Sequence, residues 1–98
     1  RTFDDEVRRS VIHELMCNFR VDPPAIERDY GLRFAEYFTE DLRRLSGLEK
    51  EGLVRASAER IEATPEGELF IRNIAMCFDR YWREKHEGAE KPVFSRTV

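Results

Sequence analysis

The residues that could do chemistry are two cysteines, two histidines and a large set of carboxylates and arginines, and their spacing decides what each can do. Cys17 and Cys77 lie sixty residues apart. Structural zinc and iron–sulfur clusters need several Cys or His ligands at close spacing, so both cysteines are expected to be reduced thiols in the core, and no metal ligand is expected. His13 and His86 read as isolated from each other and from the cysteines. Pairs such as Asp4 with Asp5 and Glu40 with Asp41 could in principle share a proton, but sequence neighbours on a helix point to different sides. General acid–base work also needs a desolvated cleft, so solvated surface is the expectation for them. There is no Ser, His and Asp spacing, Gly-rich phosphate loop or Cys-x-x-Cys motif, and no catalytic residue is expected.

The arginines are more informative. Arg72, Arg80 and Arg83 stand beside Leu69, Asn73 and Met76 on one side of a helical pattern. Such a mixed surface suits a solvated face, a docking contact for another domain or, because guanidinium is a planar fork of donors, the carboxylates of an acidic substrate. Leu69, Asn73, Met76, Arg80 and Arg83 are the docking candidates.

These residues need elements to hold them. Val7, Val11, Ile12, Leu15, Met16 and Phe19 recur at spacings of three and four, predicting a first helix from Phe3 to Phe19 with Asn18 back on its apolar stripe. Asp22 before Pro23 and Pro24 predicts a short second helix that runs to Tyr30 and ends at Gly31. A third is expected over Leu32 to Leu45, interrupted at Ser46 and Gly47. Leu53 to Ser57 and Arg60 to Thr64 read as two antiparallel strands, although no glycine or asparagine supplies a hairpin turn between them. Thr64 and Pro65 open a last helix expected to reach Lys85, with Phe70, Ile71, Ile74, Ala75, Cys77, Phe78, Tyr81 and Trp82 on its buried stripe. The fold class that follows is α+β, mainly helical, with about four helices, a small antiparallel hairpin and a winged-helix-like layout.

With 98 residues, 41% of them apolar and 38% charged, the chain is too hydrophobic for a disordered segment and too polar for a membrane span. One domain over residues 1–98 is expected, with 86–98 a flexible tail. The start at Arg1, immediately before a patterned helix, points to excision from a longer polypeptide. No run of about 20 apolar residues and no signal peptide is present, so a cytoplasmic protein without a membrane span is expected. A winged-helix layout makes a nucleic-acid or protein-binding module the rival reading. The third helix carries Glu36, Glu40 and Asp41 against Arg33, Arg43 and Arg44, and the net charge is −3, which argues against nucleic acid and leaves protein docking open.

Read together, Leu15-Met16-Cys17-Asn18-Phe19, Phe34-Ala35-Glu36-Tyr37-Phe38, Ile71 to Asp79 (Ile-Arg-Asn-Ile-Ala-Met-Cys-Phe-Asp) and the terminal Phe94-Ser95-Arg96-Thr97-Val98 resemble the C-terminal domain of bacterial oxygen-independent coproporphyrinogen III oxidase over nearly the whole chain. The resemblance implies a parent radical S-adenosylmethionine enzyme of haem biosynthesis that oxidatively decarboxylates two propionates of coproporphyrinogen III to give protoporphyrinogen IX. It implies a [4Fe-4S] cluster and S-adenosylmethionine held by an N-terminal barrel domain through a Cys-x-x-x-Cys-x-x-Cys motif that this chain lacks. This chain then corresponds to the domain over the barrel mouth, its partners being that barrel and the substrate. Arg20, Arg72 and Arg96 are the substrate-contact candidates that this implication raises.

Overall fold

A computed structural model describes residues 1–80. The elements in chain order are α1 (Phe3–Asn18), β1 (Arg20–Val21), α2 (Pro23–Tyr30), α3 (Phe34–Tyr37), α4 (Thr39–Lys50), β2 (Val54–Ala56), β3 (Ile61–Ala63), α5 (Pro65–Glu68) and α6 (Ile71–Met76). The fold is α+β and mainly helical. Arg83, Arg96 and the expected tail 86–98 lie outside the described residues.

The first helix starts where a capping box permits. The Thr2 hydroxyl accepts from the Asp5 amide, the Asp5 carboxylate accepts from the Thr2 amide, and Asp4, Asp5 and Glu6 sit at the positive end of the helix dipole. Val7, Val11 and Leu15 are buried, whereas Met16 is exposed. Asn18 is exposed too, against expectation, and its amide donates to Glu14 one turn back at 2.8 Å. Phe19 ends α1 in the left-handed region at φ 62°, an unusual conformation for a side chain of that size. The turn sends the chain into β1, and the Phe19 carbonyl accepts from the Ala63 amide at 2.9 Å.

That strand was not legible beforehand. It makes the expected hairpin a three-stranded antiparallel sheet in the order β1-β3-β2, with Arg20 opposite Glu62 and Val54 opposite Ala63. The tip between β2 and β3 turns without glycine because the Ser57 hydroxyl accepts from the amides of Glu59 and Arg60. The second helix matches the prediction from Pro23 to Gly31, the latter at φ 66°. Asp22 makes no side-chain cap; its carboxylate faces Arg60 at 3.3 Å instead.

Two expected helices are bent and one interruption is absent. Leu32 to Leu45 divides at Phe38, where ψ is +33°, so that Phe34, Phe38 and Phe78 meet. The α4 helix then runs through Ser46 and Gly47 to Lys50. The Ser46 hydroxyl donates back to the Arg43 carbonyl, which keeps a polar residue inside the helical turn. The last pattern divides at Leu69 and Phe70. Gly67 is the reason: a Cβ there would stand 1.7 Å from the Leu53 carbonyl oxygen, so α5 lies hard against the chain entering β2. Thr64 reinforces the contact by accepting from the Gly67 amide and donating to the Gly52 carbonyl. From that corner α6 turns to pack on α1, burying Ile74, Ala75, Cys77 and Phe78. Phe70, expected in the stripe, is turned outward at 48% exposure.

Candidate functional site

Arg72 falls with the docking candidates Leu69, Asn73 and Met76 at the start of and along α6, whereas Arg20 lies apart from them on β1. Leu69 at the α5–α6 corner is 85% exposed, Phe70 lies beside it, and Arg72 is exposed on the first turn of α6. Asn73 and Met76 are half-buried on the same short helix. Arg8 on α1 donates to the Phe78 carbonyl and Arg80 pairs with Asp4, so the chain leaving α6 meets the start of α1 and the two helices run antiparallel. The start of α6 therefore lies toward the end of α1, where Met16 and Phe19 are also exposed. Four large apolar side chains thus share one end of the domain. Single exposed apolar residues are ordinary, but a group of them marks a contact surface.

Arg80 belongs to a different structure from the docking face. Its guanidinium lies 3.2 Å from Asp4, which also takes both carboxylate bonds from the Arg8 Nε at 2.9 and 3.1 Å and accepts from the Tyr37 hydroxyl. Arg8 reaches on to Asp41 at 2.6 Å, and its guanidinium carbon sits 5.2 Å over the Phe38 ring. Arg44 lies 3.7 Å from Asp41. The expectation of solvated carboxylates fails here: Asp41 is 1% exposed and Asp4 is half-buried. A signal for Asp41 existed, because Leu45 and Leu48 follow it at four and seven residues on one stripe of α4. Arg8, Asp4, Tyr37 and Asp41 were all missed, since nothing local says that three helices bring them together.

Asp4 and Tyr37 are each held in one charge state over a wide pH range. Burial pushes the Asp4 carboxyl up, but the Tyr37 hydrogen bond and the guanidinium groups of Arg8 and Arg80 outweigh it and hold the pKa below the ordinary 3.8. Burial, and then the bond to and charge of Asp4, push Tyr37 up to about 12. A depressed native carboxyl contributes stability that is complete above 3.8 and lost as pH falls through its lower native value. A raised native phenol contributes stability that is complete below 10.0 and lost as pH rises toward about 12. Tyr37→Phe should therefore cost about 1 kcal/mol at neutral pH, in line with one hydrogen bond to a charged group at a partly exposed site. The gap from wild type should close as pH rises past 10. Urea unfolding of both proteins from neutral to alkaline pH checks this, and a gap that stays constant contradicts it.

Arg20 is exposed at the start of β1 and lines a cleft of about 540 Å³ between α1 and α2. Glu14, Asp22 and Asp29 line the same cleft, so an incoming carboxylate meets three like charges there. The cysteines also divide. Cys77 is buried, its thiol pushed up to about 12 by burial, whereas Cys17 is exposed. His13 is not isolated from it: one turn apart on α1, its ring nitrogens lie 3.7 Å from the Cys17 sulfur. Among the described residues no three His, Cys, Asp or Glu side chains converge as a metal site would require.

The comparisons with known proteins are consistent in direction. The family model of the HemN C-terminal domain matches residues 2–70. The oxygen-independent coproporphyrinogen III oxidase of Salmonella typhimurium is 54% identical over 97 residues, covering 99% of this chain and 21% of that protein. The enzyme of the same name from Escherichia coli K12 is 50% identical over the same length and shares, and that of Helicobacter pylori 26695 is 35% identical over 95 residues, 97% of this chain and 20% of that protein. The solved structure of E. coli coproporphyrinogen III oxidase, described as a radical SAM enzyme, superposes with a TM-score of 0.81 at 52% identity, over 83% of this chain and 19% of that one. The chain spans about a fifth of the length of the curated relatives it matches.

Proposed function

We propose, because this chain belongs to the HemN C-terminal domain family, that it is the substrate-covering domain of an oxygen-independent coproporphyrinogen III oxidase and docks on the radical S-adenosylmethionine barrel of the same polypeptide. The observation that carries the docking is the exposed apolar end of the domain, Leu69 and Phe70 with Met16 and Phe19. An interface core is enriched in such aromatic and methionine side chains. Arg72, exposed next to that face, could present its fork to a substrate carboxylate at the seam. Arg20 is the weaker candidate because of the carboxylates around it, and Arg96 keeps only the support of its motif.

The chain's own residues do not fit the cluster that the reaction requires. A [4Fe-4S] cluster needs at least three cysteine thiolates. This sequence has two, one exposed beside His13 and one buried with its thiol pushed up. Cluster, S-adenosylmethionine and radical therefore belong to the rest of the polypeptide. What this domain contributes is enclosure, which excludes water around the reacting centre. The second reading, a winged-helix-like module that docks to a different protein, rests on the same apolar face.

The test is anaerobic turnover by the full-length protein with its cluster reconstituted and S-adenosylmethionine supplied. Two molecules of carbon dioxide should be released for each coproporphyrinogen III converted to protoporphyrinogen IX. An intact cluster that cleaves S-adenosylmethionine but leaves this substrate unchanged would contradict the assignment.

A further inference from the structure

A groove of about 570 Å³ runs along α1 from the start of the chain toward Met16. That is within the usual size of a small-molecule site. Four arginines, Arg1, Arg8, Arg9 and Arg80, line it against two aspartates, Asp5 and Asp79, in a chain whose net charge is −3. Arg8 and Arg80 are held from behind by Asp4 and Asp41. Arg9 is exposed and makes no ion pair or hydrogen bond with the described residues. His13 stands one turn further on, and Ile12 and Met16 add apolar surface to the same groove. The lining thus offers forked cationic donors beside apolar and thioether surface. The matching ligand is an amphiphile with carboxylates on short arms around an apolar ring.

We infer that this groove receives propionate carboxylates of the tetrapyrrole substrate, with Arg9 as the residue that contacts them. The inference deepens the reading of this domain as a substrate cover and rests on it. Of the sequence-derived candidates among the described residues, Arg80 alone lines the groove. The Met16 end approaches the apolar face proposed to meet the barrel, so a ligand held at the seam can extend into the groove without leaving the interface. Arg20's cleft, with its three acidic neighbours, offers no comparable field for an anion.

The test uses the full-length protein and coproporphyrin III, the air-stable fluorescent form of the macrocycle, titrated without S-adenosylmethionine. Arg9→Glu should weaken its binding about tenfold or more, the scale of one lost charge-assisted contact plus a repulsive charge. The same ring with its four carboxylates amidated should bind wild type and Arg9→Glu alike. Arg33→Glu, an equal change of charge on the exposed α3 cap outside the groove lining, should bind like wild type. In turnover, Arg9→Glu should raise KM by a similar factor. Unchanged binding of the acid by Arg9→Glu, or an equal loss with Arg33→Glu, overturns the assignment. So does a variant that binds porphyrin normally but loosens the domain toward protease, because the groove would then hold an acidic stretch of protein. The titration needs neither radical nor turnover, so it judges the groove separately from the activity.

Discussion

Asp41→Ala should destabilise this domain by about 3–5 kcal/mol, the range found when one partner of a buried ion pair is removed and the other is left behind. The Asp41 side chain is 2% exposed and that of Arg8 11%, and they meet at 2.6 Å. Without the carboxylate, Arg8 keeps Asp4 and the Phe78 carbonyl, but its Nη1 loses the counter-charge that α4 supplies. Arg44, which leans on the same carboxylate, loses that attraction as well. Because the loss lies in the unpaired charge and not in a missing contact, Arg8→Met with Asp41→Leu should recover most of it. Urea unfolding of the three proteins measures both effects. A loss under about 1 kcal/mol for Asp41→Ala would put the pair in the class of surface bridges and contradict its burial.

Phe38→Ala should cost about 3–5 kcal/mol, as fully buried aromatic truncations do. The ring is completely buried at the break between α3 and α4, with ring centroids of Phe34 at 4.7 Å, Tyr37 at 4.9 Å and Phe78 at 5.4 Å. Two of those neighbours come from its own helical segment and the third from the far end of the chain, so collapse around the void would have to move α6. The face of the ring also carries Arg8, which couples this residue to the ion pairs. The double variant Phe38→Ala with Asp41→Ala should therefore lose less than the two single losses together, since Arg8 is already loosened by either one. Strict additivity would show that ring and ion pair act independently.

Much of this architecture can be read from local signals, and the parts that cannot have identifiable causes. Pro23 after Asp22, Gly31, and Thr64 before Pro65 announce helix ends because proline at the first turn, a left-handed glycine and a hydroxyl cap each act within four residues. The short β1 strand carries no such signal: two residues are too few for alternation to show, and their pairing depends on Ala63 meeting the carbonyl of Phe19. The bends at Phe38 and Phe70 are set by partners distant in sequence, Phe78 for one and the Leu53 backbone against Gly67 for the other. A periodicity argument extends a helix through both. It also reads Asp41 as surface by residue type, although the same periodicity places it beside Leu45 and Leu48. At the candidate site, Leu69 is exposed, as a docking residue has to be. Arg80 was grouped with it by helical phase, but α6 ends at Met76 and Arg80 pairs with Asp4. Arg9 was passed over, because its groove exists only where the chain after α6 returns along α1.

The most direct test of the covering role is anaerobic decarboxylation by the full-length protein compared with the same protein lacking residues 1–98, each with its cluster content verified by absorbance. If this domain encloses the substrate, its removal should lower kcat/KM by about a hundredfold or more, the scale on which lost positioning and water exclusion are felt, while S-adenosylmethionine cleavage without substrate continues. Decarboxylation within twofold of the full-length protein would show that the barrel encloses its substrate unaided, and the covering role would have to be given up.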